Sequence, residues 1–269
     1  MPKVAVGELE LNYERAGSGE PLLLIQGMSA NHRAWGDPFR SRLEEAFEVI
    51  VFDNRGMGLS TPSPISEPFT IADMGADTAG LMEALELESA HVLGISMGGM
   101  IAQELVLAHP ERVRSLTLGC TYCGGEGSAL MDPTDFRGLV EAMRSGDRDR
   151  VFRETYKLNL SPGFREDDAN YEPFAAMASA LPAPAETIGI QLQAIMAHNT
   201  QDRLAEIAAP TLVAHGTVDR MLGVVNGRLI ASLVPGSRLE IFDDVGHMFW
   251  WEQPERAAEL IRAHALAAV

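Results

Sequence analysis

The chain is expected to fold as a doubly wound α/β protein: a mostly parallel sheet, helices on both faces, and a helical insertion. Three observations carry this. Short, almost wholly apolar runs recur at 22–25, 49–52, 91–95, 113–118, 211–214 and 239–242, as strands buried on both faces do. Helix-period segments lie between them, with Ile71, Met74, Ala79, Met82 and Leu85 before the third run and Met100, Ile101, Leu105 and Ala108 after it. The stretch 123–199 breaks the alternation, with helix-like pieces and no strand run. At 269 residues the chain is long enough for one large domain with one insertion.

In chain order, Leu9-Glu10-Leu11-Asn12-Tyr13 alternates apolar and polar residues as a half-buried antiparallel strand would, and Gly17-Ser18-Gly19 reads as the turn after it. The buried runs follow, most ending at Gly or Asp. Inside the insertion, 135–144, 147–157, 168–178 and 185–198 read as helices, broken at Gly146, at Ser161-Pro162-Gly163 and at Leu181-Pro182-Ala183-Pro184. A last helix opens at Gln253-Pro254-Glu255 and runs to His264, with Pro254 in the first turn, where a missing N–H costs no hydrogen bond. The expected division is a core of 1–122 and 200–269 with a cap of 123–199, set where open α/β sheets bind ligands.

An apolar content of 46% with 22% charged residues suits a folded, water-soluble protein and excludes disordered, collagenous and disulfide-scaffold chains. Thirty-eight acidic against 21 basic residues leave a net charge of −17, which repels phosphate backbones and anionic lipid headgroups, so neither nucleic acid nor membrane is an expected partner. The first residues lack the apolar segment of a signal peptide, and the run 22–25 is far shorter than the roughly 20 residues of a membrane span, so a soluble, cytoplasmic chain is expected. Cys120 and Cys123 have redox or half-zinc spacing. Gly124-Gly125 follows them instead of a helix, however, and no second ligand pair exists, so they read as reduced loop thiols. No metal and no cofactor are expected.

The sharpest signal is Gly94-Ile95-Ser96-Met97-Gly98, followed by Gly99, between a strand run and a helix. On such a turn the serine is forced outward, small residues on either side let the backbone bend, and the helix amino terminus offers N–H groups to a developing oxyanion. Ser96 needs a base. His247, in the loop Asp243-Asp244-Val245-Gly246-His247-Met248 after the last strand run, is the best placed of seven histidines. His91, His109, His215 and His264 read as structural, and His32 and His198 are weaker candidates. The orienting acid points to Asp219, at the end of the preceding strand in His215-Gly216-Thr217-Val218-Asp219, while Asp243 and Asp244 are assigned to a turn.

With these residues in the order Ser, Asp, His, the chain resembles the α/β-hydrolase superfamily over nearly its whole length, specifically its capped esterase, enol-lactonase and cofactor-free haloperoxidase-like group. Phe52-Asp53-Asn54-Arg55-Gly56-Met57-Gly58-Leu59-Ser60 is similar to that family's D-x-R-G-x-G-x-S turn, and Ile207-Ala208-Ala209-Pro210-Thr211-Leu212-Val213 to its I-x-x-P-T-L-V entry strand. Gly56-Met57-Gly58 lacks the third glycine of a dinucleotide fingerprint. The resemblance implies an α/β-hydrolase fold with a mostly parallel eight-stranded sheet and a helical cap. It also implies oxyanion donors at the backbone N–H groups of Met28 and Met97. Gln26, where many relatives have histidine, departs from the pattern and alters the expected pocket floor.

The activity implied is hydrolysis of a small-molecule carboxylic ester or lactone through an acyl-enzyme on Ser96. Perhydrolysis and carbon–carbon bond hydrolysis are alternatives on the same residues, and a ligand-binding receptor with vestigial turnover is the alternative from another class. An aspartate nucleophile is excluded by Ser96. Trp35, Met143, Met177, Met196 and Met248 are candidate pocket residues, with Met131 beside them. For Trp35 burial under the cap, and for the cap methionines packing of helix on helix, stand as equal readings.

Overall fold

The computed structural model describes residues 2–268. Eight strands form one sheet: β1 (Lys3–Val6), β2 (Leu9–Gly17), β3 (Glu20–Ile25), β4 (Phe47–Phe52), β5 (Ala90–Ile95), β6 (Val113–Gly119), β7 (Thr211–Gly216) and β8 (Arg238–Phe242). Their order is β1-β2-β4-β3-β5-β6-β7-β8. β1 and β2 pair antiparallel with each other and β2 pairs antiparallel with β4; every other pairing is parallel.

The apolar runs become strands because both faces are covered and successive side chains point to opposite faces. Leu23, Ile25, Ile50, Val92 and Val213 pack in one cluster, and Leu22, Leu24, Val49, Leu93 and Leu212 in the other. The first cluster takes Met74 and Met82 from α2 (Ile71–Ala84), Ile101 and Leu105 from α3 (Met97–Ala108), and Ile230 from α8 (Val225–Leu233). The second takes Phe39 and Leu43 from α1 (Asp37–Glu44), Phe249 from the short α9 (Phe249–Glu252), and Ala257 and Ile261 from α10 (Pro254–Leu266).

Between β6 and β7 lie α4 (Pro133–Arg144), α5 (Arg148–Asn159), α6 (Tyr171–Ser179) and α7 (Ala185–Ala197), and 123–199 contains no strand. From β3 the chain crosses first to β4 on one side and later to β5 on the other. The carboxyl ends of β3 and β5 therefore flank the point where the winding reverses, which is where open sheets of this kind leave a crevice. The site is built there.

Candidate active site

Ser96 follows β5 directly, with φ 57° and ψ −123°, a conformation that costs an L-residue roughly 1–3 kcal/mol. The surroundings over-determine it. Ser96 N–H donates to Gly119 O at 2.9 Å, and the Ser96 carbonyl accepts from Thr121 Oγ1 at 2.6 Å and from Gly99 N–H at 2.9 Å. The glycines of the motif are steric necessities: a Cβ on Gly94 would lie 2.2 Å from Gly98 O, and one on Gly98 would lie 2.0 Å from Ile25 O. Ser96 alone is partly exposed, while every other residue of 91–100 is buried.

His247 is buried in the loop after β8, and its Nδ1–H donates to Asp219 Oδ2 at 2.7 Å. A carboxylate only accepts, so this contact leaves Nε2 as the acceptor. No hydrogen bond joins Nε2 to Ser96 Oγ in the structure; bonds of this kind commonly close only with substrate present. Asp219 Oδ1 accepts from Met221 N–H at 2.8 Å and Leu222 N–H at 2.9 Å. Burial pushes the Asp219 carboxyl up, but the charge of His247, its hydrogen bond and the nearby His215 outweigh it and hold it well below the usual carboxylate range. Asp243 and Asp244 are exposed in the turn, and Asp244 N–H donates to Thr217 Oγ1 at 2.8 Å.

His215, read from sequence as structural, stands against this acid: its Nε2 lies 3.2 Å from Asp219 Oδ2 and donates to Leu222 O at 2.6 Å. The sequence clue was its place four residues before Asp219, across the tight turn that ends β7. Cys120 completes a buried trio, with ligand-type atoms of Cys120, His215 and Asp219 within 4.8 Å of one another. Metal ligands must shed their protons. The His215 Nε2 proton is committed to a carbonyl, and burial, followed by the charge of Asp219, pushes the Cys120 thiol well up, so the trio is poorly suited to an ion. Both cysteines are free and buried.

On the β3 side, the loop Gln26-Gly27-Met28-Ser29 faces Ser96, and a Cβ on Gly27 would lie 3.0 Å from Ser96 Cβ. Neither the Met28 N–H nor the Met97 N–H donates to any acceptor among the described residues. Beyond it, Asp53 is fully buried and accepts from His32 N–H, Leu59 N–H and Asn12 Nδ2, while the His32 ring lies 2.9 Å from Asp53 Oδ1. A Cβ on Gly58 would reach 2.3 Å from that carboxylate, so the glycine-rich turn wraps an internal acid and leaves no cradle for a phosphate.

The pocket candidates are dispersed. Trp35 is fully buried, 5.9 Å from Phe39 and 5.7 Å from Trp250 between ring centroids, so of its two readings the structure shows burial. Met248 is buried in the same cluster. Met177 is half-buried beside a surface groove with His32, Arg33 and Trp251, and Met131 is likewise partly exposed. Met143 and Met196 need correcting as pocket walls, being 49% and 65% exposed. On α7 the inward stripe is Thr187, Gln191, Ala194 and Ile195, a helical period that leaves Met196 outside.

Two residues that sequence reasoning passed over join 123–199 to the site. Glu252 Oε1 accepts from Gly246 N–H at 2.9 Å and Ser161 N–H at 2.8 Å, bridging the His247 loop to the chain after α5. Gln191 Oε1 accepts from Ser29 N–H at 2.9 Å. Neither lies in a motif.

This sheet order, with a serine elbow after β5 and an Asp–His pair after β7 and β8, defines an α/β hydrolase. A family model for the alpha/beta hydrolase fold matches residues 20–254, and the chain belongs to that family. It is 31% identical over 261 residues to a protein of Azorhizobium caulinodans named "Putative carbamate hydrolase RutD", covering 97% of each chain. It is 32% identical to a poly(3-hydroxyalkanoate) depolymerase of Ectopseudomonas oleovorans, over 90% of this chain and 82% of the relative. Among solved structures, a thermophilic esterase from Thermogutta terrifontis superposes with a TM-score of 0.83 at 27% identity, covering 99% of this chain and 98% of the other. The chain is thus a hydrolase by family. Among the described residues no helix is long and apolar enough to cross a membrane.

Proposed function

We propose that the chain is a serine hydrolase cleaving a small carboxylic ester or lactone through an acyl-enzyme on Ser96. The observation that carries this reading is the left-handed, partly exposed Ser96 at the β5–α3 elbow, with the hydrogen-bonded Asp219–His247 pair at the ends of β7 and β8. In the proposed course, Ser96 Oγ attacks the substrate carbonyl while His247 Nε2 takes its proton. Asp219, kept ionised by its surroundings, holds the ring and stabilises the imidazolium. The carbonyl oxygen becomes an oxyanion between the Met28 and Met97 N–H groups, each contributing roughly 2.7–4 kcal/mol to lowering the barrier.

Collapse of this intermediate breaks the ester C–O bond, and the leaving alcohol takes the proton from His247. Water then gives its proton to His247 and attacks the acyl carbon, and the second collapse releases the acid and returns the proton to Ser96 Oγ. On this reading 123–199 is a cap over the carboxyl ends of the strands, with 1–122 and 200–269 as the core. Relatives named as a carbamate hydrolase and a poly(3-hydroxyalkanoate) depolymerase support acyl transfer to water as the chemistry. The two free thiols suit a reducing compartment such as the cytoplasm.

The test is turnover of 4-nitrophenyl esters of increasing acyl length and of simple lactones, with and without hydrogen peroxide, by the wild type and Ser96→Ala. The expected result is ester or lactone turnover that falls by about ten-thousandfold or more in the variant. Undiminished turnover in Ser96→Ala would remove the serine from the mechanism. Peracid formation with peroxide, at the expense of acid, would move the reading to perhydrolysis.

A further inference from the structure

The backbone N–H groups of the loop after β3 divide unevenly. Gly27 N–H donates to Gln26 Oε1 at 3.2 Å, Ser29 N–H to Gln191 Oε1 at 2.9 Å, and Ala30 N–H to Gly27 O at 3.4 Å. Between them, only the Met28 N–H has no acceptor among the described residues. Ser29 holds φ 60°, a left-handed conformation that a serine seldom adopts without support.

Both glutamines are buried, Gln26 at 3% exposure and Gln191 at none, and each leaves its Nε2 without a partner. An unpaired buried amide nitrogen destabilises a fold, whereas an apolar side chain of the same shape does not. An apolar replacement would in turn strip the Gly27 or Ser29 N–H of its acceptor, so each residue trades one unpaired group for another. What the two share is a carboxamide oxygen on the same loop, one from within it and one from α7.

We propose that Gln26 and Gln191 are positioning residues for the oxyanion hole. Their oxygens take up the N–H donors on either side of Met28, holding the two peptide planes that flank the one carrying the Met28 N–H and so aiming that N–H toward Ser96. This rests on the reading of Ser96 as nucleophile and Met28 as oxyanion donor. One of the two comes from the segment 123–199, so a residue outside the sheet core sets the geometry of a donor within it.

The experiment compares wild type, Gln191→Leu, Gln191→Glu and Gln26→Leu as full-length folded proteins, each checked by circular dichroism and thermal melting. Labelling of Ser96 by a fluorophosphonate, located by peptide mass spectrometry, tests the underlying reading separately. With that labelling present in the wild type, Gln191→Leu and Gln26→Leu should each lower kcat by about 10- to 100-fold. KM should stay within about twofold, because the lost interaction forms with the transition state. Affinity for phenylboronic acid, which forms a tetrahedral adduct on the serine, should fall in step with kcat/KM. Gln191→Glu should recover most of the loss: a carboxyl buried there stays protonated and neutral, and its oxygen still accepts from Ser29 N–H.

Wild-type kcat and boronate affinity in a folded Gln191→Leu would overturn the proposal while leaving the Ser96 reading intact. So would a loss in Gln191→Leu that Gln191→Glu does not relieve. No labelling of Ser96 in the wild type would remove the reading beneath it.

Discussion

The imidazole of His198 sits where a proton is poorly tolerated. Burial, reinforced by the charge of Arg203, pulls its pKa from 6.5 down to about 4. Glu104 lies 3.7 Å from the ring but is engaged by Arg203 at 2.8 Å, so its charge is largely spoken for. The unfolded chain thus binds a proton that the folded chain refuses. Stability is full above pH 6.5, declines as the pH falls toward 4, and loses on the order of 3 kcal/mol over that window. Asp219 acts in the same direction lower on the scale: its depressed carboxyl stabilises the fold above the ordinary carboxylate pKa near 3.9 and loses that contribution only in stronger acid. Urea midpoints at pH 7.5 and 4.5 should therefore differ less in His198→Asn than in the wild type; equal differences would remove His198 as the cause. At this scale the positions of Ser96, Asp219 and His247 were legible because each ends a strand in a recognisable turn. Glu252 and Gln191 were not, since their importance lies in contacts with residues 91 and 162 positions away; His215, only 4 positions from Asp219, was passed over because it reads as the end of a buried strand.

At the scale of elements, the elbow between β5 and α3 depends on how closely it packs against β3. Gly98→Ala places a methyl 2.0 Å from Ile25 O and 2.8 Å from Gln26 O, both backbone atoms that cannot rotate away. The expected destabilisation is at least about 3 kcal/mol, or a Tm lower by roughly 5–10 °C. Gly163→Ala, with nothing within 4 Å of the new methyl, is the control and should melt with the wild type. A Gly98→Ala protein that also melted with the wild type would show that the elbow is not closed by contact. The strands were readable because burial on both faces writes them as unbroken apolar runs. β1 was not, being a four-residue edge strand with no buried residue. Among the helices, α1 buries only Phe39 and Leu43, and α8 buries Asn226, Gly227 and Ile230, so neither shows a wide apolar stripe in the sequence.

At the scale of the whole molecule, the helical segment between β6 and β7 is fastened on several sides to the loops and helices around the sheet. Ala129 and Asn226 exchange two hydrogen bonds, and Arg220 pairs with Asp135. Asn159 O accepts from Met248 N–H at 3.1 Å, and Ser161 binds Glu252. Pro182 O accepts from Gly58 N–H at 2.9 Å, Thr187 Oγ1 from Ile65 N–H at 3.0 Å, and Gln191 Oε1 from Ser29 N–H. What projects from these moorings is the hairpin of α4 and α5, where residues 143–150 are all exposed. On the proposed reading of 123–199 as a cap, a roof pinned at this many points does not swing as one body on a hinge. On that same reading, traffic into and out of the crevice passes by local loosening of one corner, and the rate of departure of bulky products becomes a property of that corner alone. Hydrogen exchange reads this directly: amides at 140–150 should exchange far faster than those at 186–195. A single cooperative opening of the entire 123–199 stretch would contradict it.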